Sequence, residues 1–229
     1  MIGIIGAMDV EINSLLNEIK DYNIINIGNL KFYKGHLFDK EVVIVKCGVG
    51  KVNASFAASV LCLEFKVNLI ITTGIAGGTK SLETKDICIA NEYIYGDVDV
   101  TCFGYSFGQV PSEVKSFIVN KELVERINEI LNKEFDSVKN VTFLTQDSFI
   151  TTNEQVQIER DFLATEMEST AIAHIASKFN VETIGLRIIS DVIGKESQIE
   201  SYDSFEAEAG NISAKMCLYL VKNLWNIML

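Results

Sequence analysis

Two glutamates, Glu166 and Glu168, flank a methionine in the stretch "ATEMESTAIAH", which runs on as a nearly uncharged segment to His174. Carboxylates in such a place can move protons or grip hydroxyls. They can also satisfy the free N–H groups of a helix start, where acid suits the helix dipole. Thr165 and Glu168 stand three apart, the spacing of a capping box. The local sequence leaves both readings open. Histidine is scarce, with only His36 and His174. His174 follows the acidic pair on an apolar stretch and is expected to be packed and hydrogen-bonded. Acid–base chemistry in this chain therefore falls to carboxylates.

The elements that must hold such groups follow from periodicity. Ile2 to Ile5 reads as a buried strand stopped at Gly6, and "DVEINSLLNEIK" as a helix with Ile12, Leu15, Leu16 and Ile19 on one stripe. "LKFYKGHLFDKEVVIVKCG" reads as two β runs joined near Asp39-Lys40. A mostly apolar helix ("KVNASFAASVLCLEF") precedes a buried strand ("VNLIITTG") that is expected to end in a glycine turn, "GIAGG". Further strands are expected at "DICIANEYIY", "NVTFLT" and "VETIGLRIISD". An amphipathic helix fits "KELVERINEILNK", and a last helix carries Phe205, Ala209, Ile212, Met216 and Leu220. Strands alternating with helices imply an α/β fold, a three-layer αβα sandwich. Residues 1–229 show no repeat or linker and are expected to form one domain. The single proline, Pro111, marks a long loop.

Composition removes several classes. Hydrophobic residues make up 48% of the 229, enough for a sizeable core. A net charge of −11 argues against a nucleic-acid or anionic-membrane surface. No apolar run reaches the ~18 residues of a membrane span. The start, "MIGIIGAMDVEI", lacks a basic leader and soon meets Asp9 and Glu11. Five cysteines without a CxxC pair argue against a metal site or a disulfide framework. Reduced thiols in a cytoplasmic protein are expected.

Ligands of open α/β sheets gather at the carboxyl ends of strands. Four signals fall there: "GAMDVE", "TGIAGG", "DSFI" and "SDVIG". Each is weak alone, and their coincidence is the evidence. "CGVGKV" lacks the spacing of a phosphate-binding P-loop and "GIIGAM" is not GxGxxG, so ATP hydrolysis and a dinucleotide cofactor are poor readings.

Seven ordered motifs, "GIIGAMDVEI", "CGVGKVNA", "TTGIAGG", "DVDVTCFGYSFGQVP", "DSFI", "EMESTAIAH" and "RIISDV", together resemble the bacterial 5′-methylthioadenosine/S-adenosylhomocysteine nucleosidases of the nucleoside phosphorylase superfamily. The resemblance runs from Met1 to the last helix. It implies a mixed central sheet and a homodimer; no cofactor and no metal are expected, since the sequence holds no plausible metal cluster. The resemblance implies hydrolysis of the bond between adenine N9 and ribose C1′. By motif position Glu11 matches the base for water and Asp191 the acid that protonates adenine N7. Met167 and Glu168 match the ribose contacts. Gly77 and the Ile150 backbone match substrate contacts, and Phe149 matches the ring stacked on adenine. Arg187 and Ser190 match supporting residues. Glu166 is left as a supporting or a surface carboxylate.

The chemistry is consistent with those roles. An N-glycosidic bond breaks through an oxocarbenium-like sugar, and the purine leaves well only when protonated. Asp191 must keep its proton towards neutral pH, which a partly desolvated site favours. Water needs a base on the other face of C1′. A carboxylate on the ribose hydroxyls orients the sugar and favours positive charge nearby. The logic is that of a glycosidase with two separated carboxylates.

Phosphorylases of the same superfamily carry an arginine after the first strand and another before the glycine-rich segment. Here the first segment is "GAMDVEI" and Thr72 stands at the second place. Hydrolysis is therefore expected. Ile75 replaces the serine of many relatives' "TGSAGG", and Tyr202, after a one-residue insertion, stands where the family lid has an aromatic. Met8, Val49 and Val100 are candidate lining for the 5′ substituent. Phe103 and Tyr105 match residues offered to a neighbouring subunit's site, on a loop whose aromatics suggest a contact surface. Aminodeoxyfutalosine cleavage, phosphorolysis of purine nucleosides and non-catalytic nucleoside binding are the alternatives.

Overall fold

Alternation along β1 (Ile2–Gly6) divides the molecule into layers. Ile2 and Ile4 enter one core and Ile5 enters another. All five residues of the strand are buried, as suits a strand covered on both faces. The computed structural model describes residues 1–79 and 81–224. After β1 come α1 (Asp9–Glu18), β2 (Lys20–Ile27), β3 (Leu30–Leu37), β4 (Lys40–Lys46), α2 (Lys51–Leu63), β5 (Leu69–Gly78) and β6 (Ile87–Tyr95). The second half holds β7 (Phe117–Ile118), α3 (Lys121–Leu131), β8 (Val138–Thr145), β9 (Leu163–Glu166), α4 (Ser169–Lys178), β10 (Glu182–Val192) and α5 (Gln198–Asn223).

The strand order is β10-β6-β8-β9-β5-β1-β4-β3-β2, with the short β7 on β6. β1 pairs in parallel with β4 and β5, whereas β3 is antiparallel to β2 and β4. The sheet is thus mixed. β10 also pairs with β5, so one half of the sheet curls into a ring of β5, β10, β6, β8 and β9. On one face α1 and α5 pack on Ile4 and Ile71 through Leu15 and Leu220, while α3 packs through Ile127 against β6, β8 and α5. On the other face α2 and α4 pack on Ile5 and Ile70 through Ala58, Leu61 and Ile172. The result is the expected three-layer αβα sandwich. α3 shows why such segments are helical: its apolar Leu123, Val124, Ile127 and Leu131 form one buried stripe. The Asn120 side chain caps it by accepting N–H bonds from Glu122 and Leu123.

Several expectations need correction. The helix expected to reach Lys20 ends at Glu18, and an unforeseen edge strand, β2, begins at Lys20. "GIAGG" is not a turn. β5 continues through it to Gly78 because β10 pairs alongside over the whole length and β9 pairs with Gly77 and Gly78. The Thr165–Glu168 capping box does not form either. Thr165 lies in β9, and its hydroxyl donates to the Gly77 carbonyl. His174 is packed as expected, against the Phe117 ring and in a hydrogen bond with the Tyr95 hydroxyl.

Candidate active site

The carboxyl ends of β1, β5 and β10 meet the loops after β4 and β8 around one cleft of about 610 Å³, counting its open mouth. Glu11, from the first turn of α1, forms one wall. Its Oε2 accepts the N–H groups of Ala7 at 2.6 Å and Met8 at 3.0 Å, and its Oε1 accepts that of Ile75 at 3.3 Å. The short turn between β1 and α1 therefore folds back on its own carboxylate. Gly74 makes room for it, since a Cβ there would collide with Glu11 Oε1. Burial raises the Glu11 pKa, against the lowering influence of Arg187 and these N–H groups. At position 75 it is the backbone that reaches Glu11, through the Ile75 N–H, and the apolar Ile75 side chain lines the cleft.

Asp191 stands at the end of β10. The β10–β5 register slips between Ile189 and Asp191, leaving Ser190 as a bulge and setting Asp191 opposite Gly77. Bulges of this kind re-aim side chains. Both Ser190 and Asp191 consequently face the cleft. The Ser190 hydroxyl donates to Asp191 Oδ1 at 2.6 Å, and Gln198 Nε2 donates to Oδ2 at 2.8 Å. Gly77 keeps its neighbourhood open, since a Cβ would stand 3.0 Å from the Thr165 hydroxyl and 3.3 Å from Asp191 Oδ2. Burial raises the Asp191 pKa, partly offset by the Ser190 and Gln198 donors.

At the base of the cleft Glu166, which lines it, is paired with Arg187 behind it. Arg187 donates to Glu166 Oε2 at 2.9 Å, with both side chains almost wholly covered. The same guanidinium bonds the hydroxyls of Thr72 and Ser169. Glu166 also accepts the Thr145 hydroxyl and the N–H groups of Glu168 and Ser169. The carboxylate that serves the start of α4 is therefore Glu166, and it is not a surface group. Glu168 is freed to face the cleft, where its Oε1 accepts the Gly50 N–H at 2.8 Å. Burial and the nearby Glu166 charge raise the Glu168 pKa. Burial alone would lower that of Arg187, but Glu166, Glu11 and Glu168 raise it.

Met8, Val49, Gly77, Phe149, Ile150, Met167 and Tyr202 line the same cleft. Phe149 meets Tyr202 edge-on at 5.4 Å across the opening. Arg187 supports from behind and does not line it. Val100, expected beside Met8 and Val49, does not line the cleft, because it stands on the loop between β6 and β7, as do Phe103 and Tyr105, which line no part of this chain's cleft either. Lys51 ties that loop to the site by bonding Asp97 through its ammonium and Asp147 through its backbone N–H. Sequence reasoning missed Gln198, the Thr145 hydroxyl on Glu166 and the Ser169 hydroxyl on Arg187. "GKESQ" carries no motif that marks a partner for the acid. Among the described residues, no lysine or arginine lines the cleft and no group of three His, Cys, Asp or Glu side chains is arranged to hold a metal.

A cleft at the carboxyl ends of the strands is where an open α/β sheet places its ligand, and the family model described as Phosphorylase superfamily matches residues 1–222. The chain is 38% identical to a 5′-methylthioadenosine/S-adenosylhomocysteine nucleosidase of Staphylococcus haemolyticus, over 98% of this chain and all of that one. It is similar in structure to the nucleosidase of Neisseria meningitidis in complex with methylthio-immucillin-A, with TM-score 0.90, 32% identity and 96% and 98% of the two chains covered. A futalosine hydrolase of Helicobacter pylori also matches, with TM-score 0.89, 28% identity and 96% and 97% coverage. The chain belongs to the phosphorylase superfamily and, within it, to the 5′-methylthioadenosine/S-adenosylhomocysteine nucleosidases.

Two outcomes are expected from this geometry. Glu166→Ala leaves the Arg187 charge without its partner and should cost about 3–5 kcal/mol of stability, measured by urea unfolding. A loss below about 1 kcal/mol would mean that the pair does not hold the site together. Gly74→Ala should displace Glu11 and cut turnover at least tenfold while the far-UV spectrum stays unchanged.

Proposed function

We propose that this protein hydrolyses the N-glycosidic bond of 5′-methylthioadenosine and S-adenosylhomocysteine, releasing adenine and the 5-thio-substituted ribose. The observation that carries this reading is the trio of buried carboxylates, Glu11, Glu168 and Asp191, facing one cleft with different partners. Asp191, its pKa raised by burial, delivers a proton to adenine N7 as the bond to C1′ breaks. Glu168 holds the ribose hydroxyls and, as charge builds on the sugar, favours the cation. Glu11 takes the proton from the attacking water. Its raised pKa makes it a stronger base for that purpose. Phe149 covers the adenine face, the Ile150 backbone and Gly77 border the base, and Met167 packs on the ribose. Ser190 and Arg187 hold the acid and the carboxylate framework. Met8 and Val49 receive the 5′ substituent, and Tyr202 closes over it.

Water rather than phosphate is the nucleophile in this reading. The one arginine at the site is engaged by Glu166, Thr72 and Ser169, so no guanidinium is offered to an anion. Neither cofactor nor metal enters the reaction as written. A second reading, cleavage of aminodeoxyfutalosine, is favoured by the similarity to the Helicobacter pylori futalosine hydrolase. It uses the same adenine and ribose grips with a different 5′ group.

The proposal extends to assembly and place. The chain acts as a single-domain subunit of a homodimer, with Phe103 and Tyr105 offered to the partner's 5′ pocket. Phe103 is 78% exposed and Val52, on α2, is 80% exposed, apolar surface that a second copy would cover. A cytoplasmic role in methionine salvage fits five free cysteines, the state that reducing compartments maintain.

Adenine release from methylthioadenosine should proceed at full rate in phosphate-free buffer containing EDTA. Ribose 1-phosphate as product, or activity restored only by a divalent metal, would contradict the mechanism. Glu11→Gln and Asp191→Asn should each lower kcat by about 10²- to 10⁴-fold with the fold intact by circular dichroism. Sedimentation should show a dimer, weakened in a Phe103→Ala, Tyr105→Ala variant whose KM also rises. A fully active monomer at assay concentration would exclude the composite site.

A further inference from the structure

One buried amide at the cleft has no role in the mechanism above. Gln198, the first residue of α5, is 4% exposed. Its Nε2 donates to the Ile150 carbonyl at 2.7 Å and to Asp191 Oδ2 at 2.8 Å, and its Oε1 accepts the Gly194 N–H at 3.2 Å. A primary amide has two N–H hydrogens, and both are committed here. The first goes to the backbone beside the Phe149 ring and the second to the carboxyl at the end of β10. Tyr202 stands one helical turn further along α5, over the mouth of the cleft and against Phe149.

We propose that Gln198 is a positioning residue for Asp191, clamping the carboxyl to the Ile150 carbonyl so that the start of α5, the base-side loop and the acid move as one unit. Chemistry at this position is specific to an amide. Leucine fills similar space without a donor. Glutamate is close to isosteric, yet it sets oxygens against the Ile150 carbonyl and the Asp191 carboxyl. Glutamate is also well tolerated in a first helical turn, so that variant tests hydrogen-bond polarity rather than folding.

The clamp has a consequence for protonation. Gln198 and Ser190 both donate to Asp191, and each stabilises its ionised form. Burial pulls the other way. The ionisable groups around the cleft are Glu11 from α1, Glu166 and Glu168 at the β9–α4 junction, Arg187 from β10 and Tyr202 from α5, and among the described residues the side-chain hydrogen bonds to Asp191 come from Ser190 and Gln198. Removing the Gln198 donor must therefore move the Asp191 midpoint upward. A side chain that only filled space would leave it where it was.

This assignment rests on the nucleosidase reading, and the test separates the two. The Asp191 carboxyl is titrated by ¹³C NMR in ligand-free wild-type, Gln198→Leu and Gln198→Glu proteins, with Asp191→Asn to identify the resonance. Adenine release from methylthioadenosine is then followed against pH. In Gln198→Leu the Asp191 midpoint should rise, the alkaline limb of kcat/KM should shift the same way, and kcat should fall about 10- to 100-fold while KM changes less. Gln198→Glu should recover activity as pH falls, when a proton restores a donor between the two carboxyls. An unmoved midpoint in Gln198→Leu overturns the clamp, and so does a moved midpoint with kcat within threefold of wild type. If the midpoint moves but wild type releases no adenine, it is the nucleosidase reading that fails.

Discussion

The buried pair between Arg187 and Glu166 is the constraint on which the rest of the site depends. A guanidinium and a carboxylate taken out of water are tolerated only when nearly every donor and acceptor is used. Here Arg187 reaches Thr72 in β5 and Ser169 at the head of α4, while Glu166 gathers Thr145 from β8 and two helix N–H groups. Four strands and a helix are thereby fixed to one point beneath the cleft. Because Glu166 serves the helix start, Glu168 is released from that duty and can face a substrate. Because Arg187 is neutralised locally, its positive charge still tempers Glu11 and Glu168 without being offered to an anion.

Above that base, three carboxylates of similar intrinsic acidity are set apart by their surroundings. Glu11 rests on three backbone N–H groups, and Glu168 on one helix-start N–H with a like charge nearby. Asp191 sits between a hydroxyl and a buried amide, at a bulge that turns it into the cleft. In the proposed mechanism these three settings serve a base, a grip on the ribose hydroxyls and an acid. The division of labour comes from neighbours rather than from residue type.

Much of this was legible in the sequence. Strand and helix periodicities gave the layers, because a β1 that alternates between two cores leaves its pattern in the chain. Motif order pointed to Glu11, Glu168 and Asp191. The failures have physical reasons. "GIAGG" looks like a turn, yet glycines there serve a strand that must let Glu11 and Asp191 approach closely. The Thr165–Glu168 spacing matched a capping box, but strand β9 claims Thr165, and Glu166 caps from the strand end instead. Lys20–Ile27 is an exposed edge strand whose pairing with β3, rather than any burial pattern, makes it β. Gln198 was invisible because its partners, Ile150 and Asp191, converge only through tertiary structure.

The central claim is that Asp191 works on the leaving group and Glu11 on the nucleophile. A leaving-group substitution tests it most directly. A 5-methylthioribosyl substrate carrying p-nitrophenolate departs without protonation. On that substrate Asp191→Asn should recover most of the wild-type rate, while Glu11→Gln should remain as impaired as on methylthioadenosine. Equal impairment of Asp191→Asn on both substrates would contradict the assignment of Asp191 as the acid.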